Sequence, residues 1–190
     1  MTVVKRSAQR VGIFIDTANL YHSAKNLYKS KVNFGNVVRD ALGGRTLIRA
    51  IAYVISTEAG EEKSFFEALS KMGIETKSRD LQIFHGGAKK ADWDVGIAID
   101  IVMLADKLDV VVIVSGDGDY LPLFDYLKMR GVQVEVAAFG RSTSSRLRES
   151  ADSFLDLSEQ PEKYLMRIAN RRSGPRSEAP KVKETTSEPK

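Results

Sequence analysis

The run Val111-Val-Ile-Val114 is the feature that most limits the folds open to this chain. A strand formed by four consecutive β-branched residues has no polar face to expose to water, so it must be buried on both faces. Central strands of parallel sheets have this pattern, and residues 13–15 and 134–138 are similar. The sequence therefore predicts an α/β protein with these segments at the centre of its sheet.

Short β-rich runs alternate with longer helical patterns along the first 160 residues, at intervals that suit βαβ units. Strands are predicted at residues 11–16, 47–56, part of 74–84, 109–115, 132–138 and 153–157. Helices are predicted at residues 17–30, 34–42, 58–72, 93–107, 118–130 and 143–150. Gly73 and Gly131 each follow a cationic turn and predict the ends of two helices. We therefore expect a mostly parallel sheet covered on both faces.

The length of 190 residues suits one domain, with a charged extension at its C-terminal end. We expect a basic N-terminal arm at residues 1–10, the domain at 11–160, an appended short helix at 161–170 and a disordered basic tail at 171–190. Residues 1–160 carry 21 Lys/Arg and 21 Asp/Glu, whereas residues 161–190 carry 8 and 4, so the net charge of +4 lies in the extension. That extension is either solvated without a partner or a tether for nucleic acid.

Composition excludes several classes of site. The chain has no cysteine, which removes disulfides, thiolate ligands and a cysteine nucleophile. Its two histidines, His22 and His85, disfavour a histidine-rich metal site. No apolar run approaches the roughly 18 residues that a membrane span needs. The sequence thus predicts a soluble cytoplasmic protein that does not associate with a membrane.

Four aspartates lie at the ends of predicted apolar segments. Asp16 follows the first strand, Asp94 opens a long apolar run, and Asp117 and Asp119 follow the Val111–Val114 strand. Residues just past the carboxyl ends of parallel strands gather at one edge of the sheet, so these acids can meet in the fold. Carboxylates without histidine or cysteine suit hard cations such as Mg²⁺ or Mn²⁺. Taken singly, each acid could instead cap or begin a helix.

The predicted helix at residues 93–107 is apolar on nearly all sides, which predicts that it is largely buried. Asp100 lies inside this run and needs a metal, a cation or hydrogen-bond donors, because an unpaired buried carboxylate costs several kcal/mol. Six residues turn a helix by about 240°, so one metal cannot easily bind both Asp94 and Asp100. We therefore predict Asp94 as a ligand and Asp100 as a supporting acceptor. A homodimer contact would explain the apolar faces equally well.

Phosphodiester hydrolysis is the chemistry that such a site predicts. Divalent cations generate hydroxide near neutral pH and stabilise the charge of an in-line phosphoryl displacement. Lys89, Lys90, Ser115, Arg141 and Arg146 are candidate substrate-binding residues, since cations and hydroxyls suit phosphate oxygens. A solvated loop and an ordinary serine-capped helix are the alternatives for these segments. Aromatic residues that could stack on bases, or more simply fill the core, are Tyr21, Tyr53, Trp93 and Tyr120.

Four motifs, taken in order, resemble a known family. They are Ile13-Phe-Ile-Asp16-Thr-Ala-Asn19-Leu, Lys90 with Asp94 and Asp100, Ser115-Gly-Asp-Gly-Asp-Tyr-Leu-Pro-Leu123 followed by Arg130-Gly-Val-Gln-Val-Glu-Val, and Leu147-Arg-Glu-Ser-Ala-Asp-Ser-Phe-Leu155. Over roughly residues 10–158 the chain is similar to the NYN domain, LabA-like branch, of the PIN-like nuclease superfamily.

The resemblance implies a fold, an activity and a set of residues. The implied fold is a three-layer α/β/α sandwich with a mostly parallel central sheet and PIN-like (Rossmann-like) topology. The implied activity is metal-dependent cleavage of RNA, with Mg²⁺ or Mn²⁺ as cofactor. The residues that match the family's acidic positions are Asp16, Asp94, Asp117 and Asp119, with Asp100 as a further recurrent acid. Asn19 matches the polar residue that supports the first acid, so these six form the predicted catalytic set.

We therefore expect a ribonuclease, most simply an endonuclease, that acts on RNA. A non-catalytic regulatory module that binds RNA or a protein partner in the same crevice is one alternative. The near-neutral domain makes strong unaided affinity for nucleic acid doubtful, which favours either weak substrate binding or recruitment by a partner. A phosphomonoesterase is another. It is disfavoured because Thr-Ala-Asn follows Asp16, without the second aspartate that haloacid-dehalogenase-like phosphatases place two residues on.

Overall fold

The computed structural model describes residues 3–56, 63–83, 89–90 and 92–166. The strands are β1 (Arg10–Asp16), β2 (Lys31–Val32), β3 (Thr46–Ser56), β4 (Glu75–Asp80), β5 (Gln82–Ile83), β6 (Lys89–Lys90), β7 (Val110–Val114), β8 (Gln133–Ala138), β9 (Ser153–Asp156) and β10 (Leu165–Met166). The helices are α1 (Thr17–Tyr28), α2 (Phe34–Leu42), α3 (Lys63–Lys71), α4 (Asp94–Leu104), α5 (Leu121–Met129), α6 (Ser145–Ser150) and α7 (Pro161–Tyr164). Short 3-10 turns occupy Ala105–Lys107, Gly118–Tyr120 and Gly140–Ser142.

Six strands form the central sheet in the order β4-β3-β1-β7-β8-β9. Every neighbouring pair in this sheet is parallel. Strand β7 is buried along its whole length, as its β-branched sequence predicts. Strands β1 and β7 lie side by side at the centre, so the loops that follow them open at the same edge.

Helices cover both faces of the sheet. One core includes side chains from α1, α2 and α3, namely Leu20, Val37 and Leu69. The other includes side chains from α4, α5 and α6, namely Ile97, Phe124 and Leu147. Alternate residues of β1 serve the two cores, with Ile13 and Ile15 on one side and Phe14 on the other. The expected α/β/α sandwich with a parallel central sheet is therefore confirmed.

Glycines end two of the helices as predicted. Gly73 and Gly131 have φ values of 73° and 74°, in the left-handed region that residues other than glycine rarely adopt. Gly131 N–H donates to Lys128 O at 2.9 Å, and the next amide, Val132 N–H, donates to Leu127 O at 3.0 Å. These paired bonds satisfy carbonyls that the helix leaves free, and they turn the chain directly into β8.

The helix predicted at 161–170 is present at Pro161–Tyr164 and ends there in the described part of the chain, while residues 167–170 lie outside that part. Leu165 and Met166 are extended and pair antiparallel with Lys31 and Val32. The hydroxyl of Ser30 donates to Met166 O at 2.8 Å, so these contacts replace the next helical turn. The pairs β2–β10 and β5–β6 were not predicted, because two-residue strands are too short to show a periodicity.

The prediction that α4 is largely buried is also wrong. Ile97 and Ile101 pack onto the sheet with 1% and 0% exposure, but Val95 and Met103 are 70% and 75% exposed. The helix lies on one face of the sheet, and an apolar sequence on all sides cannot bury more than the side that faces the strands. The outer face of α4 is thus apolar and open to solvent.

Some predictions concern residues outside the described part. Residues 57–62, which include the start of the predicted third helix, lie outside it, as do 84–88 with His85, and the extension from 167 onwards. Among the residues that the structure does describe, no helix is long and apolar enough to cross a membrane. The basic arm, the domain limits and the disordered tail stay predictions.

Candidate functional site

Three of the four predicted acids meet at the carboxyl edge of the sheet. Asp117 and Asp119 lie in the loop after β7, and Asp94 is the first residue of α4. One carboxylate oxygen from each lies within 4.8 Å of the others. Asp94 and Asp117 are half-buried, while Asp119 is exposed. Two separate parts of the chain thus converge on one acidic cleft.

Asp16 lies beside this group, although it is not among the three mutually close acids. Its Oδ1 accepts from Asn19 N–H at 3.0 Å and so caps α1. Burial raises the pKa of Asp16, the hydrogen bond from Asn19 opposes that shift, and the charges of Asp94 and Asp117 raise the pKa further. Asp16 also accepts from the hydroxyl of Ser115, which in turn accepts from Asp117 N–H, so Asp16 adjoins the acidic loop as well as capping a helix.

Asn19 and Ser115 hold the loop that carries two of the acids. Asn19 Oδ1 accepts from Gly116 N–H at 3.0 Å, which ties α1 to the loop. The hydroxyl of Ser115 donates to Asp16 Oδ2 at 3.4 Å and accepts from Asp117 N–H at 3.2 Å. Ser115 is fully buried, so its predicted contact with substrate is replaced by a positioning role.

Gly116 allows a second loop to approach closely. A Cβ atom at Gly116 would lie 2.9 Å from Ser142 O and 3.0 Å from Thr143 Cα, too close for any other residue without a backbone shift. The carbonyl of Gly116 accepts from Ser144 N–H at 3.0 Å. The segment from Gly140 to Ser145 therefore forms one wall beside the acids.

Tyr120 links the loop acids to α4, a contact that sequence reasoning missed. Its side chain is 2% exposed, and its hydroxyl donates to Asp94 Oδ1 at 3.0 Å. Burial and the surrounding carboxylates raise the pKa of Tyr120 far above its usual value, so it remains a donor. Burial also raises the pKa of Asp94, and the bond from Tyr120 partly offsets this. The only signal in the sequence was a tyrosine directly after Asp119.

Asp100 has partners of its own, away from the cluster. Its Oδ2 accepts from the Tyr53 hydroxyl and from Lys77 Nζ, each at 2.7 Å. Burial acts to raise the pKa of Asp100, but the bonds from Lys77 and Tyr53 outweigh it, and the pKa is lowered. The predicted need for a cation and donors is met by Lys77 and Tyr53. Asp100 therefore anchors α4 to β3 and β4, and its partners within the described part of the chain do not include the three clustered acids.

Trp93 fixes the start of α4, immediately before Asp94. Its indole N–H donates to Val54 O at 2.9 Å, and the Arg79 guanidinium lies 4.5 Å from its ring centroid. Of the other candidate stacking residues, Tyr53 and Tyr120 are buried in the core, and Tyr21 is 43% exposed. Only Tyr21 and the half-buried Trp93 remain able to contact a base.

Arg141 and Arg146 flank the cleft wall and are exposed. Neither side chain forms an ion pair with another residue in the described part of the chain. Lys89 and Lys90 form β6 with their backbone, but their side chains lie outside what the structure describes. Two of the four predicted cationic contacts thus lie on segments bordering the acids, and two stay predictions.

The donor set fits a hard divalent cation. The clustered side chains offer carboxylate oxygens only, the ligands that Mg²⁺ and Mn²⁺ prefer. Burial, and to a smaller extent the charges of neighbouring carboxylates, raise the pKa of Asp16 and Asp94, and no described lysine or arginine forms an ion pair with either. A divalent ion held by these oxygens would offset that repulsion.

The parallel sheet and the acids at its carboxyl edge define a PIN-like α/β protein. The sequence matches the NYN domain over residues 10–158. The chain therefore belongs to the NYN domain family, whose members are generally RNase-like nucleases, and the predicted membership is confirmed.

Two similar proteins cover most of the chain. The low amplitude and bright protein LabA of Synechococcus elongatus is 24% identical over 160 residues, which are 79% of this chain and 84% of LabA. The crystal structure of a protein of unknown function from Vibrio parahaemolyticus superposes with a TM-score of 0.77. That protein is 27% identical, and the match covers 86% of this chain and 100% of the Vibrio chain.

Proposed function

We propose that this protein is a metal-dependent endoribonuclease that hydrolyses RNA phosphodiester bonds. The observation that carries the proposal is the convergence of Asp94, Asp117 and Asp119, which come from two separate parts of the chain. Carboxylates in such a group repel one another unless a cation joins them. Membership in the NYN domain family supports RNA as the substrate class.

The chain's own residues would share the work as follows. Asp94, Asp117 and Asp119 would hold Mg²⁺ or Mn²⁺, with Asp16 completing the set from the end of β1. Bound there, the ion would supply a Lewis acid for the phosphate and a hydroxide source near neutral pH. Asn19 and Ser115 keep the loop acids in register with Asp16 through their hydrogen bonds.

Arg141 and Arg146 would bind phosphates of the RNA backbone beside the acids, since exposed guanidinium groups suit phosphate oxygens. Lys89 and Lys90 are proposed for the same role. Equal numbers of acidic and basic residues in positions 1–160 imply modest affinity for nucleic acid. We therefore expect weak, salt-sensitive binding that these few cations dominate.

A cleavage assay with an inactivating variant tests the proposal. Single-stranded RNA, structured RNA and DNA are incubated with Mg²⁺ or Mn²⁺ and the wild type, Asp117→Asn or Asp125→Asn. Asp125 is exposed on α5 and serves as a matched control. We expect Asp117→Asn to lose at least about 100-fold in RNA cleavage, since it removes a proposed ligand, while Asp125→Asn keeps wild-type activity. Undiminished cleavage by Asp117→Asn would contradict the assignment.

Metal binding separates the enzyme from a non-catalytic module. The near-neutral domain implies weak unaided binding of nucleic acid, which suits either a weakly bound substrate or a module that a protein partner recruits. Calorimetric titration of the folded protein with Mn²⁺ should give saturable binding that Asp117→Asn weakens. RNA binding without any uptake of Mn²⁺ would support the module instead. Release of phosphate from a monoester substrate, without RNA cleavage, would point to a phosphomonoesterase.

A further inference from the structure

The outer face of α4 presents an apolar stripe formed by Val95, Ile99, Val102 and Met103. These residues are 70%, 54%, 40% and 75% exposed. Ile99, Val102 and Met103 follow Val95 by four, seven and eight residues. This spacing places all four side chains along one side of the helix, away from Ile97 and Ile101. Together they expose roughly 400 Å², comparable to the largest apolar patch on a typical monomer, which is often functional.

The C-terminal extension of the chain is a poor match for this stripe. It follows β10, which pairs with β2 in the layer of α1 and α2, on the opposite side of the sheet from α4. Residues 167–190 are also mostly charged and small polar residues with few large apolar side chains. The stripe itself contains no cationic residue, which disfavours RNA as its ligand.

We propose that the stripe binds the same stripe of a second copy, so that the protein is a two-fold symmetric homodimer through α4. An antiparallel pair of α4 helices centred on Ile99 would place Val95 of each copy opposite Met103 of the other. Such a self-complementary contact is the commonest form of homo-oligomer interface. The four stripe side chains would supply about half of the ~800 Å² that each partner buries in a stable interface. Polar residues around the stripe would supply the rest.

The charge at the C-terminal end of α4 agrees with the antiparallel arrangement. Asp106 is paired there with Arg130, which leaves Lys107 as the excess positive charge. Antiparallel packing would separate the two Lys107 side chains, whereas parallel packing would bring them together. The stripe contains none of the clustered acids, so the pairing does not depend on a metal or on the proposed activity.

The mass of the full-length protein in solution tests the dimer. Sedimentation equilibrium should give a dimer for the wild type at about 100 µM. Ile99→Glu should weaken association at least about 100-fold, because two charges would be buried at the centre of the contact. Met129→Glu is the matched control, because Met129 is 82% exposed on α5 and lies outside the stripe, and it should remain dimeric. Circular dichroism should show that both variants keep the wild-type fold.

Directed cross-linking tests the geometry, since the chain has no cysteine of its own. Ile99→Cys introduces a single thiol close to the symmetry axis and should form a covalent dimer under mild oxidation. Met129→Cys should cross-link much more slowly. A wild type that stays monomeric at about 100 µM, or a dimer that survives Ile99→Glu, overturns the proposal. Equal cross-linking rates for the two cysteine variants would overturn it as well.

Discussion

Replacing Tyr120 with Phe tests whether a single hydrogen bond prepares the acidic cleft for a cation. The hydroxyl of Tyr120 lies 3.0 Å from Asp94 Oδ1, and the ring is buried in the core. Phe keeps that packing and removes only the donor. Because the hydroxyl holds the Asp94 carboxylate in place and opposes the rise of its pKa, its loss should leave Asp94 misoriented and harder to ionise.

The magnitude follows from the kind of bond that is removed. A hydrogen bond to a charged group contributes about 1.5–3 kcal/mol. Residues that orient metal ligands typically contribute a factor of about 10–100 to metal affinity, which is roughly 1.4–2.7 kcal/mol. The two ranges agree, so we expect Mn²⁺ to bind Tyr120→Phe about 10–100 times more weakly than the wild type. Calorimetric titration at pH 7 measures this directly.

Tyr164 provides a matched control for this deletion. Its hydroxyl also donates to an aspartate, Asp40 Oδ2, at 2.8 Å, on a part of the molecule that carries none of the clustered acids. Tyr164→Phe should lower stability without changing Mn²⁺ affinity. The reasoning fails if Tyr120→Phe binds Mn²⁺ as the wild type does, or if both variants lose affinity equally.

Three further substitutions distinguish residues of the acidic site from residues that stabilise the fold. Asp16→Asn should raise the melting temperature of the metal-free protein at pH 7 while keeping the helix cap. The pKa of Asp16 is higher in the folded state, so the wild type loses stability as pH rises through that value, a trend the variant should reduce in melting curves with chelator. Asp100→Asn should lower the free energy of unfolding in urea by about 1–2 kcal/mol and leave Mn²⁺ affinity unchanged. The contribution of ionised Asp100 is present above its unfolded pKa and is lost as pH falls through its lowered folded value. Glu135→Gln should cost about 3–5 kcal/mol in urea unfolding, because both carboxylate oxygens bond to buried Arg45 at 2.8 Å; a change under about 1 kcal/mol would contradict this.

The fold was predictable where one local pattern had one structural solution. The β-branched run at Val111–Val114 can be satisfied only by burial on both faces, and it forms the central strand β7. Residues just past the carboxyl ends of parallel strands share one edge of the sheet, and Asp117 lies at that edge as this rule predicts. Asp94 followed because α4 begins at that edge. These predictions needed no knowledge of how particular side chains pack.

What the sequence left open depends on packing between distant elements. An all-apolar α4 does not reveal which of its sides meets the sheet, so the exposure of Val95 and Met103 could not be predicted. The hydroxyl of Tyr120 reaches Asp94 only because α4 and the β7 loop are held at a fixed distance. Ser115 was predicted to touch substrate because its hydroxyl suits phosphate oxygens. Its complete burial became visible only when α1 and the second loop were placed around it.

The aspartates with shifted pKa values fall into two groups according to the direction of the shift. Asp40, Asp100, Asp109 and Asp156 have lowered pKa values, because lysine, arginine, tyrosine or backbone donors satisfy their charges. Asp16 and Asp94 show the opposite shift, with burial and neighbouring carboxylates opposing their ionisation. The four aspartates with lowered pKa values are supplied with donors by the fold, whereas Asp16 and Asp94 lie beside the loop that carries Asp117. Buried carboxylates with raised pKa values in a cleft are typical of functional sites, and this distinguishes Asp16 and Asp94 from the other four.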